Sequence, residues 1–382
     1  MITFLFFLSL HMLNAGFPIF VSQISGQPAL GGIMTTAFMM AAIFSRPFVS
    51  AFLYQLNIKK TISITLLFVA ISMLISYGST SIPFLIIIRV IEGAAFGIIT
   101  TLLATLATSI IPTERTGEGI GFFGMATSLG ASLSPALALY IYNSFSFQNI
   151  LLLALVIILS VFCFSLFIKN IFIGKETKMD HSIIHDIFDK KALFPSVLVF
   201  FLCITFGAVF SFMGGLGEEV GLGAKISLFF FIFMFVMLLI RPISGKVFDR
   251  FGYKVLIYPS SISGLIGLLL LAVANHLFVL IAAAFFYGIG YGILQPTLQS
   301  WAVSLVAREK KGTANAMIFT GMDLGMALGS PIFGMVAGIF GYREMFGYSS
   351  ICILFILVFY MFSSKNQKLE ETKEKAVLIQ KN

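Results

Sequence analysis

This sequence has little charge. Only 10% of its 382 residues are Asp, Glu, Lys or Arg, against 59% hydrophobic. A water-soluble chain with so little charge could not cover its surface, so lipid is the solvent for most of the molecule. Cysteine is scarce too: Cys163, Cys203 and Cys352 lie singly in apolar runs. That spacing offers no metal site and no redox pair, and leaves them as small buried hydrophobes. The chain has no Gly-Lys-Ser/Thr phosphate loop and no serine nucleophile motif with a His partner, which argues against an ATP-driven pump and against catalysis. No basic stretch precedes the first apolar run and no small-residue cleavage site follows it, so a retained spanning helix is expected there rather than a signal peptide. The net charge of +8 does not point to nucleic acid, because in lipid the placement of charge carries the information.

What is present is a series of apolar stretches of bilayer-spanning length, about 20 residues each. Twelve are predicted, at 2–21, 29–54, 59–79, 83–110, 117–142, 148–168, 193–215, 226–248, 254–274, 277–305, 313–340 and 345–363. The expected architecture is an all-α membrane protein in two six-helix units, 1–168 and 193–363. A polar linker at 169–192 joins them and a Lys- and Glu-rich tail, 364–382, follows. The loops after the even-numbered helices, with the tail, hold 19 of the 24 Lys and Arg, whereas the opposite loops hold only Lys225 and Arg343. That bias places both termini and the linker in the cytoplasm of a plasma-membrane protein.

The halves are also copies. Arg46-Pro47 recurs as Arg241-Pro242, 195 residues later, and the same step carries Lys59 to Lys254, Gly93 to Gly288, Gly97 to Gly292, Glu114 to Glu309 and Gly117 to Gly312. One offset held through loops and apolar segments alike is the mark of a duplicated membrane unit.

The stretch Gly245-Lys246-Val247-Phe248-Asp249-Arg250-Phe251-Gly252-Tyr253-Lys254 resembles the loop signature that follows the second helix of each half in the major facilitator superfamily. Arg89-Val90-Ile91-Glu92-Gly93 is similar to the fourth-helix signature of its proton-coupled members. Gly124, Gly130 and Ser134-Pro135 are similar, more loosely, to the fifth-helix signature of its exporters. The resemblance implies a fold of two six-helix bundles and a monomeric secondary transporter of small molecules, with no cofactor, no metal and no enzymatic activity. It also implies a gate motif at Gly245, Asp249, Arg250 and Gly252, whose acid faces the start of the helix near Gly117. The first half has Tyr54 and Gln55 at the corresponding places, so such a latch is expected on one side only.

The ionisable residues within predicted spans are His11, Arg46, Arg89, Glu92, Arg241 and Asp323. Each costs about 2.5–3.5 kcal/mol in hydrocarbon and needs a partner or a wet cavity. Arg89 and Glu92, three apart on one face, form either a self-neutralising pair or a proton-responsive one. Glu92 maps onto Tyr287, which begins the series Tyr287, Tyr291, Gln295, Gln299; this polar stripe is expected to meet water or cargo. Asp323 points away from the packing stripe Gly321, Gly325, Gly329. It is the expected proton carrier, or else a structural acid held by Arg241 or a backbone group. Arg46 and Arg241 either hold an anionic group, such as a cargo's or Asp323's carboxylate, or snorkel to headgroups. His11 and Asn14 lie one turn apart on the first helix. Drug exporters of this family often carry an acid there; this chain does not, which weakens a multidrug assignment. The Arg-Pro pair with Asp323-Leu324-Gly325 resembles an exporter subgroup that includes staphylopine metallophore exporters. Trp301 is expected at the membrane interface. Glu218-Glu219 leaves a weaker alternative, an intramembrane enzyme, and a transporter-like sensor is a third. The leading expectation is a proton-coupled exporter of a small organic compound by alternating access, with a metallophore or sugar exporter, or an uptake symporter, as the alternatives.

Overall fold

A computed structural model describes residues 1–26, 28–168 and 188–380 of the chain. Most of the predicted linker lies outside the described residues, as does the side chain of Tyr54. Twelve helices among the described residues are long and apolar enough to cross a membrane. They are α1 (Ile2–Ser25), α2 (Pro28–Phe52), α3 (Ile58–Ser76), α4 (Ile82–Ile110), α5 (Thr116–Ser144), α6 (Phe147–Ser165), α7 (Lys190–Glu219), α8 (Ser227–Phe251), α9 (Lys254–Ala272), α10 (Leu277–Ser304), α11 (Lys311–Phe340) and α12 (Tyr342–Gln380). Only helices satisfy every backbone polar group within one lipid-exposed segment, so the apolar runs have no other spanning form open to them.

Several helices run past their predicted boundaries. Helix α1 runs on to Ser25 and stops where Gly26 turns left-handed, at φ 65°. Helix α8 runs to Phe251, so Lys246, Asp249 and Arg250 ride its last two turns rather than a loop; Gly252, at φ 76°, makes the break. Helix α12 continues to Gln380 through the Lys- and Glu-rich tail.

Helix α8 shows how the sequence divides its faces. Phe231, Phe235, Leu239 and Ile243, four apart, are exposed, while Phe229, Phe233, Met237 and Arg241 are buried. The first row meets lipid and the second meets protein. Helix α2 repeats the pattern: Met40, Phe44, Phe48 and Phe52 are exposed, and Met34, Phe38, Ala42 and Arg46 are buried.

The 195-residue step is kept in the packing. A methyl group on Gly93 would strike the Phe38 backbone, and one on Gly288 would lie 3.1 Å from the Phe233 oxygen. Gly97 packs on Ala42 and Ser45, and Gly292 on Met237 and Ile240. The same seam is thus built twice, α4 on α2 and α10 on α8, glycine allowing each close approach. Gly321, Gly325 and Gly329 of α11 sit in turn on the carbonyls of Ser196, Phe200 and Ile204 of α7.

Two separate cores result, one drawn from α1–α6 and one from α7–α12, with Ile120 of α5 packed into the second. Hydrogen bonds tie the halves at the end that carries the basic loops. Ser50 meets Thr313 at 3.0 Å, and Thr108 accepts from Lys311 Nζ on its carbonyl oxygen and from the Asn315 amide on its hydroxyl.

Candidate functional site

The α5–α8 seam is made of backbone. Gly117 and Gly245 face each other so closely that a methyl on Gly245 would stand 2.6 Å from the Gly117 oxygen. One turn on, the Asp249 carboxylate accepts from the Gly117 amide at 2.6 Å and the Glu118 amide at 2.9 Å. These are first-turn amides of α5, which have no partner within their own helix, and the helix dipole favours an anion there. Arg250 lies over the ring of Phe251, and Lys246 reaches Glu118 only at 3.9 Å from an exposed position, a contact of little weight.

The α2–α11 seam has an apolar rim, where Leu53 fills the place beside Gly312 that Phe248 fills beside Gly117. Deeper in, Arg46 meets Asp323. Its Nε and Nη2 donate to Asp323 Oδ2 at 2.9 and 2.7 Å, and Nη1 donates to the hydroxyls of Thr100 and Thr101 at 2.9 and 3.3 Å. The guanidinium lies 4.9 Å from the Phe319 ring centre. Arg46 is 1% exposed and Asp323 5%. Of the readings open for Arg46, this is the carboxylate partner and not the snorkel. The partner of Asp323 is Arg46, not the Arg241 the sequence also allowed.

Arg241 occupies the equivalent place in its own half but has different company. Its Nη2 donates to Gln295 Oε1 at 3.0 Å, as Arg46 does to Thr100, the residue 195 positions earlier. Its guanidinium lies against Gly124 of α5, 2.6 Å from where a methyl there would stand. Gln295 belongs to the polar stripe of α10, whereas Thr100 lies in an apolar run and is linked to it only by the repeat offset.

Arg89 and Glu92 pair within α4 at 2.7 Å, both fully buried. Arg89 also donates to Asn14 and lies 4.3 Å from the Phe38 ring centre. His11 stacks on Phe7 and meets Phe96 edge-on. The polar stripe of α10 turns inward to protein. Tyr287 is fully buried against Gly267 and shares a hydrogen bond with Thr205 at 2.9 Å; Tyr291 stacks on Phe206; Gln299 donates to Asn315. The expected contact of Tyr287 with water is thus replaced by packing inside its own bundle. Trp301, expected at the membrane interface, is 2% exposed and stacks on Tyr253 at 4.1 Å. Glu219, the hint of an intramembrane enzyme, accepts from the Tyr342 amide at 2.6 Å and so caps α12.

The sequence matches the family model described as Major Facilitator Superfamily over residues 1–271 and again over 195–380. The chain belongs to the Major Facilitator Superfamily. It is thus a multi-pass membrane transporter by family. Two relatives of this superfamily member are exporters by name. The staphylopine export protein of Staphylococcus aureus is 22% identical over 376 residues, covering 94% of this chain and 93% of its own. The multi-drug resistance efflux pump PmrA of Streptococcus pneumoniae is 24% identical over 290 residues, 73% of this chain and 72% of its own. The human organic anion transporter MFSD10 superposes with a TM-score of 0.78 at 17% identity, covering 93% and 96% of the two chains. The proton:xylose symporter XylE does so at 0.72 and 15%, with 94% of each chain covered. At those identities the superfamily member shares a fold with both, and no more.

Proposed function

We propose that this chain is a proton-coupled secondary transporter that exports a small organic compound by alternating access. The observation that carries the reading is the buried Arg46–Asp323 pair between α2 and α11, 277 residues apart in sequence and joining the two halves. An acid whose salt bridge bridges the moving bodies links protonation to their separation. Neutral Asp323 no longer holds Arg46, and the sealed end is free to open. Asp249 on the start of α5 is the second latch of that seal, with Gly245 and Gly252 shaping it. The basic loops at this end support a cytoplasmic seal with both termini inside, in the plasma membrane. Residues 1–168 and 193–363 are the two rocking bodies. Arg89–Glu92, against Asn14 and beside His11, forms the wall of the first body.

Export is favoured over uptake because the staphylopine export protein is matched along nearly its whole length. A metallophore-like cargo is therefore the first class to try. The test is reconstitution into proteoliposomes with an imposed pH gradient, using as cargo the compound that accumulates in cells lacking this transporter. Gradient-driven flux that Asp323→Asn abolishes, in protein that still folds, is the expected result. Flux that ignores the gradient, or survives Asp323→Asn with the same pH dependence, overturns the coupling. Absence of any flux from a folded preparation favours a sensor.

A further inference from the structure

The two arginines of the repeat are treated unequally. Around Arg46, α11 supplies an acid, Asp323, and one turn earlier an aromatic ring, Phe319. Subtracting the 195-residue step gives the α5 residues that face Arg241: Ser128 for Asp323 and Gly124 for Phe319. Gly124 is indeed the residue against which the Arg241 guanidinium lies, and Ser128 is one turn along the same face. Arg241 is 2% exposed, and among the described residues no acceptor meets its Nε or its Nη1. Arg46 has both a threonine and a carboxylate on its nitrogens; Arg241 has the counterpart of the threonine, Gln295 on its Nη2, and no counterpart of the carboxylate. A buried guanidinium with two donors unmet is costly, and it is built to receive an anion.

We propose that Arg241 is the anchor of the cargo: a carboxylate of the transported compound lies beside it as Asp323 lies beside Arg46, with the Arg241 guanidinium itself seated in the place that Gly124 leaves open. The proposal rests on the transporter reading and narrows it to organic carboxylates. A carboxylate is the anion of choice because the Arg46 copy of this site takes one, Nε and Nη2 both donating to Asp323 Oδ2. Gln295 positions the guanidinium from the α10 side, and α5 and α8, which belong to different halves, both border the ligand.

The test needs neither the natural cargo nor a gradient, so it stands or falls apart from proton coupling. The full chain is purified in detergent and its Tm is followed with acetate against acetamide, at constant ionic strength held with chloride. Acetate is expected to raise Tm saturably and acetamide is not. Arg241→Gln is expected to raise the half-maximal acetate concentration more than tenfold, and Arg241→Lys to restore part of the effect. Ser128→Asp supplies the missing acid from the chain: it is expected to raise Tm by roughly 2 °C or more without any ligand, to abolish the acetate response, and to lose its gain when combined with Arg241→Gln. Equal responses to acetate and acetamide overturn the proposal. So does an acetate response that Arg241→Gln leaves intact, or a Ser128→Asp protein that is destabilised and still responds.

Discussion

Replacing Asp323 by Asn removes one charge from the sealed end and almost no volume. In the parent, Oδ2 of Asp323 takes two hydrogen bonds from Arg46, which is 1% exposed. Breaking a buried pair from one side costs about 3–5 kcal/mol because the other charge is stranded. The Asn carbonyl can still accept from Arg46, and Thr100, Thr101 and the Phe319 ring stay in place, so the low end, about 3 kcal/mol, is the expected penalty. The open form pays none of it if Arg46 meets water there. The equilibrium therefore shifts by roughly two orders of magnitude toward opening. If closure leads about tenfold in the parent, the Asn variant is closed roughly 6% of the time. The assay is disulfide trapping of Ser50→Cys with Thr313→Cys, whose native hydroxyls sit 3.0 Å apart across the seam, in a background lacking Cys163, Cys203 and Cys352. Trapping is expected to slow more than about tenfold in the Asp323→Asn protein. Lowering the pH slows trapping in both proteins through loss of thiolate, and should slow it further in the parent alone, since a protonated carboxyl loses the same charge. Trapping within twofold of the parent, or a pH response in the variant as large as the parent's, would refute the reasoning.

Asp249→Asn removes the anion from the start of α5 but keeps an acceptor; a loss of about 1–2 kcal/mol of closed form is expected, seen as slower trapping of the same cysteine pair. Gly245→Ala drives a methyl to 2.6 Å from the Gly117 oxygen, backbone against backbone, so it should pry the seam open and abolish flux, whereas Gly214→Ala, with nothing within 4 Å, should leave both intact.

The sequence made the spans legible because lipid leaves apolar runs of that length one solution, and the repeat legible because glycines at 195-residue spacing are needed for the same helix approach in each half. The lipid face of α8 was equally readable from its four-residue rows. What was not readable is what depends on the docking of the two halves. Headgroups and a carboxylate fit Arg46 equally in the sequence because its partner lies in the other half, and no periodicity within α2 points there. Tyr287 was expected to meet water because a polar stripe on an apolar helix looks the same whether it faces a cavity or a neighbouring helix. Its hydrogen bond to Thr205 decides the matter, and Thr205 sits in an apolar run that gives no sign of it. Trp301 misled for a similar reason: a lone Trp near a helix end fits an interface anchor, but Tyr253 and Tyr360 enclose it.

The broken symmetry gives the proposed coupling a sign. Both seams must part for rigid halves to rock, and each holds one arginine beside the partner half. In one seam the chain supplies the anion, Asp323; in the other it supplies only Ser128 and glycine. A proton on Asp323 weakens the first seam. An organic anion at Arg241, bordered by α5 and α8, strengthens the second. The two ligands then push the same equilibrium in opposite directions, and by linkage each must lower the affinity for the other. That antagonism is the thermodynamic content of exchange: the protonated form opens toward the basic end, and the cargo-loaded form closes it and carries the cargo away. Co-transport in one direction would need the two to act together. Cysteine trapping across Ser50 and Thr313, scaled by the thiolate fraction at each pH, reads the sign, for acetate should speed it where acid slows it, and the two effects should oppose when both are applied. Acetate and acid acting in the same sense would make the chain a symporter, and the missing acid at position 128 would then have no part in exchange.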